Sequence, residues 1–309
     1  MGKIAFVFPG QGSQAVGMLQ ESEAAVRDTF SEASTALGYD LWDLCANGPE
    51  AQLNQTEFTQ PALLTASIAL YRQALAQGMA EPDVVAGHSL GEYSALVAAG
   101  TLAFADAVTL VQKRGQFMQT AVPVGEGGMA AVLGLTDDEV RRACAEAAAD
   151  EVVQAANYNA PGQVVIAGST DAVDRAVEAC KSAGAKRAMP LAVSAPFHSA
   201  LMQPAAENMS EVLETVSFSA PKMPVVQNVD ASVHTDPDEI RDNLVAQMCG
   251  AVLWTDTVLA LKGMDVEHMI ECGPGKVLAG LAKRIDRSIT THNILSVEAI
   301  ASVKEAIST

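Results

Sequence analysis

Ser89 lies in Gly87-His88-Ser89-Leu90-Gly91, between the apolar run Val84-Val85-Ala86 and the helix-like stretch Glu92 to Ala99. A Gly-x-Ser-x-Gly pentapeptide at a strand-to-helix junction lifts its serine hydroxyl out of a sheet on a sharp turn. Such a turn needs small neighbours on both sides, and Gly87 and Gly91 remove the side chains that would collide. It also sets the hydroxyl beside unpaired backbone N–H groups at the helix start, which can hold a developing oxyanion. The alternative is an ordinary glycine-rich turn with a capping serine; the flanking strand and helix favour a nucleophile. The chemistry of such a serine is acyl transfer.

A nucleophilic serine needs a base, and the chain has five histidines. His88 adjoins the serine on the other side of the turn, which suits lining or packing. His234 sits in the polar stretch Ser232-Val233-His234-Thr235-Asp236, read as a solvated loop. His268 falls in a strand-like run and His292 among polar residues near the C-terminus. That leaves His198, in Ser194-Ala195-Pro196-Phe197-His198-Ser199, as the candidate base. A satisfied structural histidine is the other reading of it. No Asp or Glu stands out as a third member. A backbone carbonyl accepting from Nδ1–H can orient an imidazole as a carboxylate does, with less charge stabilisation.

The elements that must position these residues alternate along the chain. Lys3 to Phe8 reads as a buried strand, Glu23 to Leu37 and Pro61 to Ala76 as helices, and Asp83 to Ala86 as the strand feeding the turn. Helices follow over Glu92 to Ala99 and Ala103 to Val122. This alternation implies a parallel sheet covered by helices. Gly125-Glu126-Gly127-Gly128 then reads as a flexible linker. Beyond it come a strand over Met129 to Leu133, a helix over Asp137 to Ala149, and strands over Glu151 to Asn157 and Gln163 to Ala167. Asn159-Ala160-Pro161-Gly162 is the expected turn between those two strands. A helix over Thr170 to Ser182 and a strand over Lys186 to Val193 complete the unit. The order β-α-β-β-α-β is that of a ferredoxin-like unit. It reads as an insertion over 124–194 in a core spanning 1–123 and 195–309, to which Val225-Val226 and Val266 to Ile270 return as strands.

Composition bounds the function. Hydrophobic residues make up 49% of the 309, enough for a substantial core, and no uninterrupted apolar stretch is long enough for a membrane span. The apolar run after Lys3 is too short for a signal peptide and ends in Pro9-Gly10-Gln11-Gly12. Five cysteines at 45, 144, 180, 249 and 272 form no Cys-x-x-Cys pair, arguing against zinc and against a disulfide framework. A reducing cytoplasm is the expected setting. With 37 acidic and 19 basic residues the net charge is −18, which repels nucleic acid and anionic membranes. Gly10-x-Gly12-x-x-Ala15 satisfies a dinucleotide fingerprint. Helix-like sequence from Glu23 with no strand close behind argues against nucleotide binding.

Four motifs stand in one family's order and spacing: Phe8-Pro9-Gly10-Gln11-Gly12-Ser13-Gln14, Gly-His-Ser-Leu-Gly-Glu-Tyr at 87–93, Arg114-Gly115, and Pro196-Phe197-His198-Ser199. From about Lys3 to Ile285 the chain resembles the malonyl-CoA:acyl carrier protein transacylases of type II fatty acid synthesis, and equally the acyltransferase domains of polyketide synthases. The resemblance implies an α/β-hydrolase-like core with a mainly parallel sheet and an inserted ferredoxin-like α+β subdomain. It implies Ser89 as nucleophile and His198 as base, with backbone N–H groups of Gln11 and Leu90 as the oxyanion hole. Arg114, which position alone reads as a surface helix arginine, is implied to bind the malonyl carboxylate. Gln247 matches the glutamine whose backbone carbonyl orients the histidine.

The implied reaction carries malonyl from coenzyme A to the phosphopantetheine thiol of acyl carrier protein by ping-pong exchange, with no tightly bound cofactor and no metal. Phe197 directly before the histidine accompanies malonyl selection in related synthase domains. Met248-Cys249-Gly250-Ala251-Val252-Leu253-Trp254 departs from the family's Tyr-Asn-Pro-Val-x-Trp, and the added glycine is expected to loosen the loop orienting His198. Acyl carrier proteins are acidic, so docking on so anionic a chain requires a local basic patch. Lys276, Lys283, Arg284 and Arg287 form one candidate, Lys181, Lys186 and Arg187 another; solvated faces are the bland reading of both. The chain is expected to act as a monomer. A serine esterase or thioesterase, and a non-catalytic carrier-docking subunit, remain as other classes. Arg114 argues against the first, and the presence of both Ser89 and His198 against the second.

Overall fold

The computed structural model describes residues 2–193 and 195–308. Strand β1 (Lys3–Phe8) leads through a long irregular turn to α1 (Glu23–Leu37), α2 (Leu41–Asn47), α3 (Glu50–Leu53) and α4 (Thr56–Ala76). Strand β2 (Val84–Gly87) then feeds α5 (Gly91–Ala98) and α6 (Phe104–Thr120). The next unit runs β3 (Gly127–Leu133), α7 (Asp137–Ala148), β4 (Val153–Ala160), β5 (Gln163–Ser169), α8 (Thr170–Ser182), β6 (Arg187–Pro190). After it come α9 (Gln203–Leu213), β7 (Val225–Val226), α10 (Pro237–Cys249) and α11 (Trp254–Gly263). The chain closes with β8 (Val266–Cys272), α12 (Val277–Ile285), β9 (Thr290–Ile294) and α13 (Ala299–Ser308).

Five strands form a parallel sheet in the order β7-β2-β1-β8-β9. Its centre, β1 and β2, is buried on both faces, which is why these strands read as unbroken apolar runs rather than alternating ones. Helix α4 is buried nearly all round and packs beneath the sheet, where Tyr71 meets the edges of Phe6 and Phe8 at ring centroid distances of 5.7 and 6.1 Å. The other four strands form an antiparallel sheet in the order β4-β5-β3-β6, and their sequence with α7 and α8, β-α-β-β-α-β, is the ferredoxin-like one expected. Strand alternation divides its side chains between two cores. Val132, Ile166 and Val164 pack under α7 and α8, whereas Met129, Val165 and Ala167 join the main core.

The hairpin β4–β5 is stapled to the parallel-sheet unit. Val252 N–H donates to Ala156 O (2.9 Å) and its carbonyl accepts from Tyr158 N–H (2.9 Å). Thr255 Oγ1 donates to Tyr158 O (3.1 Å), and His88 Nε2 pairs with Asn159 Oδ1 (2.8 Å).

Several expectations need correction. α4 begins at Thr56, so Pro61 lies inside the helix and not at its start. Gly127 and Gly128 are no linker but the first residues of β3, paired with Ser169 and Gly168. Gly127 is glycine because a Cβ there would sit 2.5 Å from the Pro196 ring. β4 continues through Ala160, which leaves Pro161-Gly162 as the turn, and β6 ends at Pro190. Helices α2, α3, α9, α10, α11 and α13 and the half-exposed edge strand β9 were not anticipated. Ser194, the last residue of the expected insertion, lies outside the described residues.

Candidate active site

Ser89 follows β2 with φ +53°, in the left-handed region that non-glycine residues rarely occupy. The turn is as tight as its sequence implies. A Cβ on Gly87 would lie 1.9 Å from Gly91 C, and one on Gly91 would lie 2.1 Å from Phe8 O. Asn228, buried just after β7, clamps both sides of the turn. Its Oδ1 accepts from Ser89 N–H (2.6 Å) and its Nδ2 donates to Gly87 O (2.7 Å).

His198 is brought to this turn by the segment that follows the antiparallel sheet, and it too has positive φ, +58°. Its Nε2 lies 2.7 Å from Ser89 Oγ and its Nδ1 lies 2.8 Å from Gln247 O, near the end of α10. A carbonyl only accepts, so Nδ1 carries the proton and Nε2 is free to accept from the serine. Burial, then the nearby Arg114 cation, push the imidazole pKa down to about 3, against the opposing hydrogen bond to Gln247. The loop after Gln247 is not loose. Gly250 N–H caps α10 on Ala246 O (2.8 Å), and Val252 is held on both sides by β4. Gln154 adds weak hydrogen bonds to His198 O (3.5 Å) and Cys249 O (3.4 Å).

Arg114 is 1% exposed, not a surface residue. α6 carries it inward because Gly115 lets that helix close on α4: a Cβ there would lie 2.6 Å from Thr56 O. The guanidinium donates to Gln60 Oε1 (2.9 Å), Gln247 Oε1 (2.8 Å) and Ser89 Oγ (3.2 Å), and lies 5.5 Å from the Tyr93 ring centre. No carboxylate contacts it among the described residues. The nearest, Glu92, is buried one amide away and accepts from Gln247 Nε2 (3.0 Å), Gln227 Nε2 (3.0 Å) and Asn228 N–H (2.8 Å). Burial raises its carboxyl pKa to about 6 despite these bonds.

Ser89, His198, Arg114 and Gln60 line a cleft of about 790 Å³. Gln11 and Leu90 line it with Met118, Met129, Val165 and Phe197. Among the described residues, neither Gln11 N–H nor Leu90 N–H has a hydrogen-bond partner. The structure thus gathers all six residues singled out from sequence: Ser89, His198, Gln11, Leu90, Arg114 and Gln247. Gln60, Glu92 and Asn228 were missed. The segment from Gly10 to Ala15 forms turns on the cleft rim, with no helix opening there as a dinucleotide site requires. His88 packs 5.5 Å from Trp254, His234 pairs with Asp230 and Glu239, and His268 meets His292 at 3.1 Å, so none of these reaches Ser89. α12 lines the mouth through Val277, Leu278 and Leu281, while Lys276, Lys283, Arg284 and Arg287 are exposed. Lys181, Lys186 and Arg187 are exposed as well, but Lys181 is paired with Glu178. No described helix is long and apolar enough to cross a membrane.

A family model for the acyl transferase domain matches residues 5–300. The malonyl CoA-acyl carrier protein transacylase of Escherichia coli (strain K12) is 56% identical over 308 residues, 99% of this chain and 100% of that protein. Among solved structures, an acyl carrier protein S-malonyltransferase from Vibrio cholerae superposes with a TM-score of 0.95 at 53% identity, over 97% of this chain and 99% of that one. A malonyl-transacylase in complex with a type II polyketide synthase acyl-carrier protein gives 0.97 at 48% identity, over 98% and 99%. With the serine turn, the histidine and the buried arginine assembled in one cleft, the chain belongs to the acyl transferase family.

Proposed function

We propose that the protein transfers malonyl from malonyl-CoA to the phosphopantetheine thiol of holo acyl carrier protein through a malonyl ester on Ser89. One observation carries the reading: Ser89 Oγ lies 2.7 Å from His198 Nε2 and 3.2 Å from an Arg114 nitrogen. A nucleophile and a buried cation meet at one point, which suits an acyl group that bears its own carboxylate. A hydrolase of neutral esters has no use for that cation.

His198 takes the Ser89 proton as Oγ attacks the thioester carbonyl. The tetrahedral oxyanion is held by Gln11 and Leu90 N–H groups, each contributing roughly 3 kcal/mol to the transition state. Collapse breaks the C–S bond, and His198 returns its proton to the departing coenzyme A thiolate. The carrier thiol then enters, gives its proton to His198 and attacks the ester carbonyl, and Ser89 leaves with the proton restored. Arg114 pairs with the malonyl carboxylate throughout. Gln247 O balances the imidazolium, as an acidic third member would, with less charge.

The carrier docks on α12. Its apolar side chains line the cleft, and its exposed Lys283 and Arg284, flanked by exposed Lys276 and Arg287, stand out on a chain of net charge −18. The setting is the cytoplasm, and the chain acts as a monomer.

The test is radiolabelled malonyl-CoA with and without holo carrier protein. Label should accumulate on the protein alone, be absent from Ser89→Ala, and move to the carrier on its addition. Release of free malonate faster than transfer would mean that water is the true acceptor.

A further inference from the structure

Glu92 enters no step above, yet it is the buried anion closest to the carboxylate-binding arginine. It lies in the first turn of α5 and is 1% exposed. Its two oxygens accept from three donors drawn from two other parts of the chain, Gln227 and Asn228 after β7 and Gln247 in α10. No cation touches it among the described residues.

The hydrogen-bond sequence from Glu92 to Ser89 has only one direction. A guanidinium can only donate and an ionised carboxylate can only accept. The Gln247 amide stands between them, so its Nε2 must face Glu92 and its Oε1 must face Arg114, as observed at 3.0 and 2.8 Å. The same Nε2 also donates to Ser89 O at 3.1 Å. We infer that Glu92 is a positioning residue for carboxylate recognition, acting through the Gln247 amide to hold Arg114 beside Ser89; this rests on the malonyl-transfer reading. Glu92 does not reach His198, which is held by the main chain of Gln247 and not by its side chain. Loss of Glu92 therefore affects the group that reads the acyl carboxylate and spares the group that moves the proton.

Glu92→Gln keeps the shape and removes the charge. If its new NH₂ faces Asn228 and Gln247, it opposes two donors; if it faces Gln227, it opposes one. Either way the anion that polarises the Gln247 amide toward Arg114 is gone.

The experiment compares kcat/KM for malonyl-CoA and acetyl-CoA, with holo carrier protein as acceptor. Wild type, Glu92→Asp, Glu92→Gln, Gln247→Met and the Glu92→Gln/Gln247→Met double variant are assayed together. In Glu92→Gln the malonyl-to-acetyl ratio should fall about tenfold, the scale of a lost hydrogen bond to a charged group. Glu92→Asp, still an acceptor, should recover part of it. Gln247→Met should lower the ratio similarly, and the double variant should lower it no further, because both residues act through one amide. The ¹⁵N signals of His198 should match wild type in Glu92→Gln. Equal proportional losses for the two thioesters in Glu92→Gln, or losses that multiply in the double variant, overturn the inference and leave the malonyl reading standing. A wild-type protein with no preference for malonyl overturns both. If Glu92→Gln does not fold, Gln247→Met decides, and an unchanged ratio there overturns the inference.

Discussion

A buried guanidinium whose nearest partners are amides and a hydroxyl is under-neutralised, and an arriving carboxylate restores the balance. Arg114→Ala is therefore expected to lower kcat/KM for malonyl-CoA by at least about 30-fold, the smaller end of the cost of truncating a buried charge pair. Acetyl-CoA should lose much less, and a parallel assay of the two thioesters checks it. His198 carries the second expectation at this scale. Burial and the Arg114 cation hold its pKa well below the ordinary histidine value, so the imidazole should stay neutral with Nδ1 protonated from pH 8 down to pH 5. A ¹⁵N titration with a midpoint between 6 and 7 would contradict that. Ser89 and His198 were legible because each has a mark: two obligatory glycines for one, and for the other its place where the chain returns to the core. Gln60, Glu92 and Asn228 carry no such mark. They are amides and a carboxylate from four separate stretches when Gln247 is counted, and only the fold makes them neighbours. Glu92 did offer a hint, since Ser89-x-x-Glu92 at a helix start has capping-box spacing. Its side chain turns instead into the interior.

Elements are most legible where an unbroken apolar run or a regular helical spacing is closed by a breaker residue. The apolar runs of β1 and β2 and the ends of α1 and α8 match their sequence patterns residue for residue or nearly so. α4 was cut short because Pro61 resembles a first-turn proline. Its true first turn, Thr56 to Gln60, is made of residues whose side chains serve neighbours: Thr59 Oγ1 bonds Leu53 O and Gln60 reaches Arg114. Gly127 and Gly128 resemble a linker because no local pattern reveals that they pair with Ser169 and Gly168 or that Pro196 lies close to Gly127. α10 had a readable start in Asp236-Pro237-Asp238-Glu239, an N-cap aspartate followed by proline and acidic residues, but the loop reading of the preceding stretch hid it. α12 carries the prediction at this scale. Lys283→Glu with Arg284→Glu should raise KM for holo carrier protein about tenfold by opposing an acidic partner. The amplitude of acyl-enzyme formation from malonyl-CoA should stay unchanged in a quench experiment. An unaltered KM for the carrier would move docking elsewhere.

At the scale of the whole molecule, the two sheets share more than a boundary. One face of the antiparallel sheet contributes Met129, Val165 and Ala167 to the core under the parallel sheet, and main-chain hydrogen bonds join β4 to Val252. Thermal unfolding is expected as one cooperative transition, with calorimetric and van't Hoff enthalpies in agreement. Two resolved transitions would mean that the 124–194 unit melts independently. The staples between β4 and the parallel-sheet unit also bear on how the site is used. Together with the His88 Nε2–Asn159 Oδ1 pair, next in sequence to Ser89, they hold the β4–β5 hairpin, which lines the cleft through Asn157, Asn159 and Val165, in register with the turn that carries the serine. On the malonyl-transfer reading, an acyl group on Ser89 would be shielded from water only as far as it fills the cleft beside the serine. On that reading coenzyme A and the carrier's arm would occupy in turn the one cleft that Ser89 lines.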